Sequence, residues 1–154
     1  MSSDISKKLT VDWPQKMSYD ISDQRTADYV SERVGVVTKR GSIFYKKRLL
    51  DVFLFAMAKG KQKGLRTPLT KKSNSMPTDA LKEEEIWLMS SIALSEKNSD
   101  LDILTKPEEI IKICEEYANT GVKDLIAIDF STSISDPLEP YEKLMEDNLE
   151  KLTR

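Results

Sequence analysis

The stretch Lys46-Lys47-Arg48-Leu49-Leu50-Asp51-Val52-Phe53-Leu54-Phe55-Ala56-Met57-Ala58-Lys59 decides how this chain reads. From Leu49 to Ala58 only Asp51 is polar. That apolar run is about half the length a membrane span needs. Wound as a helix it has almost no polar side, and such a helix belongs in the middle of a core, touched on several faces. The fold is therefore expected to be built around a helix over 46–59. Gly60 and Gly64 break it in this reading, and Pro68 forbids its continuation. Residues 60–77, with two prolines among Lys, Ser and Gly, read as a long loop.

Upstream, Ser22 or Asp23 can cap a first helix with Ala27, Val30 and Val34 inward and Gly35 at its end. Val36-Val37-Thr38 and Ile43-Phe44-Tyr45 flank a Gly-containing turn. They allow a short β-hairpin near residues 36–45, the alternative being that Ile43–Tyr45 opens the central helix. Residues 1–21 read as an arm with Trp13 docked on the body, or as a hook for a partner.

Downstream, Thr78 or Asp79 caps a helix to about Glu96, with Leu81, Ile86, Leu88, Met89, Ile92 and Ala93 on its inner face. Trp87 and Leu94 fall opposite, either under another helix or on a partner surface. Thr105-Lys106-Pro107-Glu108 fits a capping box. The helix it opens turns Ile110, Ile113, Cys114 and Tyr117 inward, and Glu108, Glu109, Lys112, Glu115 and Glu116 elsewhere. Asn119 to Gly121 closes that helix, with a short further helix over 122–130. Beyond a Ser/Thr-rich linker, Tyr141, Leu144, Met145, Leu149 and Leu152 share one face of a last helix. That helix has three uses: docking on the body, pairing with its copy in a homodimer, or entering another protein's groove. The reading is thus a mainly α, single small domain of about five helices. It divides into an arm (1–21), a helical domain (22–130), and a linker with an amphipathic helix (131–154).

Composition removes several kinds of chemistry. The 154 residues contain no histidine and one cysteine. That excludes a His-based triad, an imidazole metal ligand, an internal disulfide and a Cys-rich zinc site. Cys114 lies on the buried stripe with no base near it in sequence, so it reads as a structural thiol. Gly60 and Gly64 are followed by Leu65-Arg66 and come after a helix, unlike a phosphate loop. Asp100 and Asp102, with Lys106 behind them, are the best nuclease-like carboxylates. They sit at a helix start, where acids are commonplace. The expectation is a non-enzymatic, cytoplasmic protein with no metal, no cofactor and no membrane contact.

The net charge of -2 hides a segregation. Residues 35–75 carry eleven basic groups: Lys39, Arg40, Lys46, Lys47, Arg48, Lys59, Lys61, Lys63, Arg66, Lys71 and Lys72. Asp51 is the one acid among them, giving +10. Residues 76–154 carry eight bases and nineteen acids, giving -11, and residues 1–34 carry five and six, giving -1. Either the basic stretch faces nucleic-acid phosphates, or basic and acidic parts of one fold neutralise each other. The eleven basic residues are the candidate nucleic-acid contacts. Trp87, Leu94, Tyr141, Leu144 and Leu149 are the candidate protein contacts.

Some of these segments have a familiar cadence. Asp51–Ala58, Gly60, Gly64-Leu65-Arg66-Thr67-Pro68-Leu69, Ile92-Ala93-Leu94, Asp100–Leu104 and Glu115-Glu116-Tyr117-Ala118-Asn119-Thr120-Gly121 together resemble the DNA phosphorothioation (Dnd) system-associated proteins, over about residues 43–126. The Gly-Leu-Arg-Thr-Pro-Leu loop and the Glu-Glu-Tyr-Ala-Asn ending are the most specific pieces. The resemblance implies an intracellular bacterial or archaeal protein linked to DNA modification and antiviral defence, with other defence-system proteins as partners. It implies no particular activity.

Overall fold

A computed structural model describes residues 13–130, with side chains through residue 128. The helix expected beyond 131, with Tyr141, Leu144 and Leu149, lies outside the described residues.

The described part is mainly helical, with one small antiparallel strand pair. In chain order it comprises β1 (Lys16–Met17), α1 (Gln24–Tyr29), α2 (Leu49–Lys63), β2 (Met76–Pro77), α3 (Glu83–Glu96) and α4 (Pro107–Phe130). Short 3-10 turns cover Val36–Thr38, Thr78–Ala80 and Leu101–Thr105.

Helix α2 is the central element, as its apolar run demands. The Asp51 carboxylate accepts the Arg48 N–H at 2.9 Å and fixes the first turn. Val52, Phe53, Ala56 and Met57 are fully buried. One edge reaches solvent at Phe55 and Ala58, so the helix is not covered all round. Gly60 does not break it. The helix runs on to Lys63, and Gly64 ends it at φ 72°, its N–H bonding back to Gly60 O and Lys61 O.

The reason Gly60 is tolerated lies in α4. A Cβ on Gly60 would stand 1.9 Å from the Tyr117 carbonyl oxygen, and one on Gly121 would stand 1.7 Å from that of Ala56. The two backbones touch there, and only glycine permits it. The same contact corrects the expectation that α4 closes at Gly121. That glycine sits inside one continuous helix from Pro107 to Phe130.

Other departures have local causes. The first helix stops at Tyr29, and Val34 is 66 % exposed. Residues 36–45 form a 3-10 turn and further turns, not a hairpin. Val36 and Phe44 drop into the core, and one Lys46 N–H to Val37 O bond of 2.9 Å closes the segment. The strand pair lies elsewhere, with Lys16 opposite Pro77 and Met17 opposite Met76. Thr78 does not cap α3. Its hydroxyl donates to Pro14 O and its N–H to Gln15 O, so it ties down the chain's beginning. Helix α3 starts at Glu83, and Leu88 faces solvent. Thr105 donates to Asp102 O within its own turn, so the expected capping box does not form.

Residues 13–21 are part of the core. Trp13, Met17 and Tyr19 are buried. The Tyr19 hydroxyl donates to Leu49 O at 2.7 Å, and its ring meets Phe53 edge-on at 5.8 Å.

Candidate functional site

The fold sorts the eleven basic residues into two groups. In the first, the charge is taken up inside the molecule. Arg48 bridges Asp51 and Glu85, both at 2.7 Å, and donates to Ala80 O. Hydrogen bonds to Asp51 and then Glu85 raise its pKa above the ordinary guanidinium value. Arg66 bridges Glu96 at 2.9 Å and Glu116 at 2.7 Å. Burial works against its charge, but the two carboxylates outweigh that and raise its pKa. Lys63 pairs with Asp124 at 3.0 Å, and Lys72 lies 3.8 Å from Glu115. Lys61 donates to Ser95 Oγ and sits over the Tyr117 ring.

The second group keeps its charge free. Lys39, Arg40, Lys46 and Lys47 are exposed on the turns before α2 and make no ion pair with a described residue. Lys46 stands over the Tyr45 ring, its backbone in the left-handed region at φ 62°. Lys59 and Lys71 also lack such a pair. Lys71 is anchored through its backbone, its N–H donating to Asp20 and its carbonyl accepting the Ile21 N–H. These four free cations lie within nine residues of chain, on a segment pinned by the buried Phe44 ring against Phe55.

The most specific sequence pieces meet each other. Arg66 pairs with Glu116, Thr67 N–H donates to Glu116 O, and the Thr67 and Thr120 hydroxyls share a hydrogen bond at 2.8 Å. The Asn119 amide donates to Thr67 O and Pro68 O. The loop after α2 is thereby strapped along α4. The strap corrects one expectation, because Glu115 and Glu116 do not point away to solvent. They are 4 % and 7 % exposed. Two acids embedded in an apolar helix were the available signal, and amphipathic spacing alone does not separate such acids from solvated ones. Glu96 accepts from the Tyr117 hydroxyl and from Arg66, and both hold its pKa below the usual carboxylate value.

Of the candidate protein contacts, Trp87 is 42 % exposed, while Leu94 is half-buried against the core. Leu88, beside Trp87, is also exposed. Cys114 is sealed, with Met89 O as the neighbour of its Sγ, and burial pushes its thiol pKa far up. Asp100 caps the turn over Leu101–Thr105 by accepting the Asp102 N–H. Among the described residues no three acids or thiols are placed to hold a metal ion, and no helix is long and apolar enough to cross a membrane.

The family model described as DNA sulphur modification system-associated protein 4 matches residues 33–136. No curated protein and no solved structure matches the chain.

Proposed function

The chain belongs to the DNA sulphur modification system-associated protein 4 family, and from that premise we propose a non-enzymatic accessory protein of such a system that touches the nucleic-acid backbone through Lys39, Arg40, Lys46 and Lys47. One observation carries the reading: these four cations are free, whereas Arg48, Lys63, Arg66 and Lys72 of the same basic stretch pair with carboxylates. Phosphate contact by lysine and arginine needs charge that is not already paired. The other proteins of the system are the natural partners. Trp87 and Leu88, adjacent and exposed on α3, favour a second reading in which one of those proteins, rather than DNA, is held.

The test is duplex DNA binding at two salt concentrations. Four phosphate contacts give a slope of log K against log salt of about -3 to -4. Replacing Lys39, Arg40, Lys46 and Lys47 together by alanine weakens binding at least about tenfold at low salt. Lys63→Ala, which removes a paired cation, leaves it nearly unchanged. Equal affinity of the fourfold variant and the parent overturns the contact and leaves the protein-partner reading ahead.

A further inference from the structure

The open edge of α2 has a definite character. Phe55 is 42 % exposed, and Ala58, one turn on, is also open. The Phe44 ring rests on that of Phe55 at 5.6 Å, and Ile43, its neighbour in sequence, is 43 % exposed. The segment that brings these apolar groups to α2 also carries Lys39, Arg40, Lys46 and Lys47, exposed and without an ion pair among the described residues. Exposed apolar groups in polar surroundings mark an interaction surface. Here the surroundings are cationic, so the fitting occupant is an amphipathic segment rich in acids. Trp87 and Leu88 make the opposite demand, because Glu83 and Glu84 stand one turn before them on α3.

The chain itself supplies such a segment. Residues 136–152 hold six acids against Lys143 and Lys151, a net of -4. Tyr141, Leu144, Met145, Leu149 and Leu152 recur in it at helical spacings of three and four. The chain is also long enough to return. Gly121 touches the backbone of Ala56, the neighbour of Phe55, and Phe130 ends α4 nine residues further on. Nine helical residues advance about 14 Å. The ten residues from Ser131 to Pro140 span up to about 33–36 Å when extended. We propose that residues 136–152 dock on the open edge of α2 in the same chain, with Leu144 and Leu149 against Phe55 and Ile43 and the acids towards Lys39, Arg40, Lys46 and Lys47. Docked there, the segment competes with nucleic acid for those cations. The competition rests on the backbone contact proposed above, whereas the docking does not.

Labelling with N-ethylmaleimide, a neutral thiol reagent, reads the edge in the full chain. Ile43→Cys places a thiol there at an exposed position, and the buried Cys114 stays unlabelled as long as the fold is intact. A flexible tether gives a millimolar effective concentration, so a docking constant of about 0.1 mM slows labelling about tenfold. Leu144→Ser with Leu149→Ser removes the apolar anchors, keeps the charge and restores the fast rate. Trp87→Cys labels equally fast with and without the two serines. The serine pair also tightens duplex DNA binding about tenfold at low salt, because it frees the competent fraction. Equal labelling at position 43 in both backgrounds overturns the docking. Protection that grows with protein concentration overturns it in favour of a second copy, and protection at position 87 instead overturns it in favour of α3. DNA affinity unchanged by the serine pair, in chains that bind DNA and show the protection, overturns the competition. No DNA binding by either chain, with the protection intact, overturns the backbone contact and the competition together and leaves the docking standing.

Discussion

Asp20 shows how much one side chain can organise. Its carboxylate accepts N–H groups from Ser22, Thr70 and Lys71, at 3.0, 2.9 and 3.2 Å. Burial alone would raise its pKa, but those donors, led by Thr70, pull it well below the carboxylate range. A lowered folded pKa contributes stability that is present above the unfolded value of about 3.9 and is lost as pH falls towards the folded one. Asp20→Asn turns an amide N–H₂ towards one of the donors. It should cost about 1–3 kcal/mol at pH 7, and the cost should shrink below about pH 4, by about 1 kcal/mol at pH 3. Urea denaturation of both proteins at the two pH values checks it. A penalty independent of pH means the charge is not what holds the loop. Sequence alone points nowhere near this role, because Thr70 and Lys71 are about fifty residues away and the residue type is common on surfaces.

At the scale of elements, the apolar run fixed the place of α2 and its central position, because burial of such a run has one solution. Its ends were not legible. Gly60 and Gly121 read as breakers locally, yet each is required inside a helix by the other helix's backbone. Alanine in place of a helical glycine normally stabilises by about 1 kcal/mol. Here Gly60→Ala should destabilise by about 1–3 kcal/mol or more, since the new Cβ meets a carbonyl that cannot step aside. A rise in melting temperature sinks the contact. Phe53→Ala should cost about 3–5 kcal/mol, because it empties a fully buried site against Tyr19. Lys46→Ala should stay within about ±0.5 kcal/mol. Chemical denaturation of both distinguishes a core helix from a surface one. The strand pair was illegible for a different reason. Two residues on each side carry no periodicity, and the pairing joins segments 59 positions apart between Met17 and Met76.

Across the whole molecule, the opposition of +10 and -11 partly folds onto itself. Arg48 to Glu85, Lys63 to Asp124, Arg66 to Glu96 and Glu116, and Lys72 to Glu115 all join the basic stretch to the acidic one. The neutralising reading of the segregation therefore holds in part: ion pairs take some of the charge, and a remainder on Lys39, Arg40, Lys46, Lys47, Lys59 and Lys71 is left unpaired among the described residues. A count along the chain cannot divide the two, because pairing depends on which helices become neighbours. Residues 13–20 are integral to the body. A chain starting at Ile21 loses Trp13, Met17 and Tyr19 from the core and leaves Glu115 without the Ser18 N–H. It should unfold non-cooperatively or at a much lower temperature. A thermal melt of the truncated protein decides it, and an unchanged, sharp transition contradicts the packing described.

The hydrogen bond from Ser18 to Glu115 spans 97 positions of chain. During synthesis at about 5–20 residues per second, Ser18 emerges about 5–20 seconds before the Glu115 carboxylate that accepts its N–H. Contacts of such separation form late and slowly. A nascent chain of this protein therefore holds residues 13–20 beside α2, whose Leu49 and Phe53 meet Tyr19, well before α4 arrives to complete their hydrogen bonds. That makes residues 13–20 a natural substrate for chaperones. Their final docking waits on α4, so yield in an overexpressing cell should depend more on translation speed and holdase supply than on the stability of the finished fold.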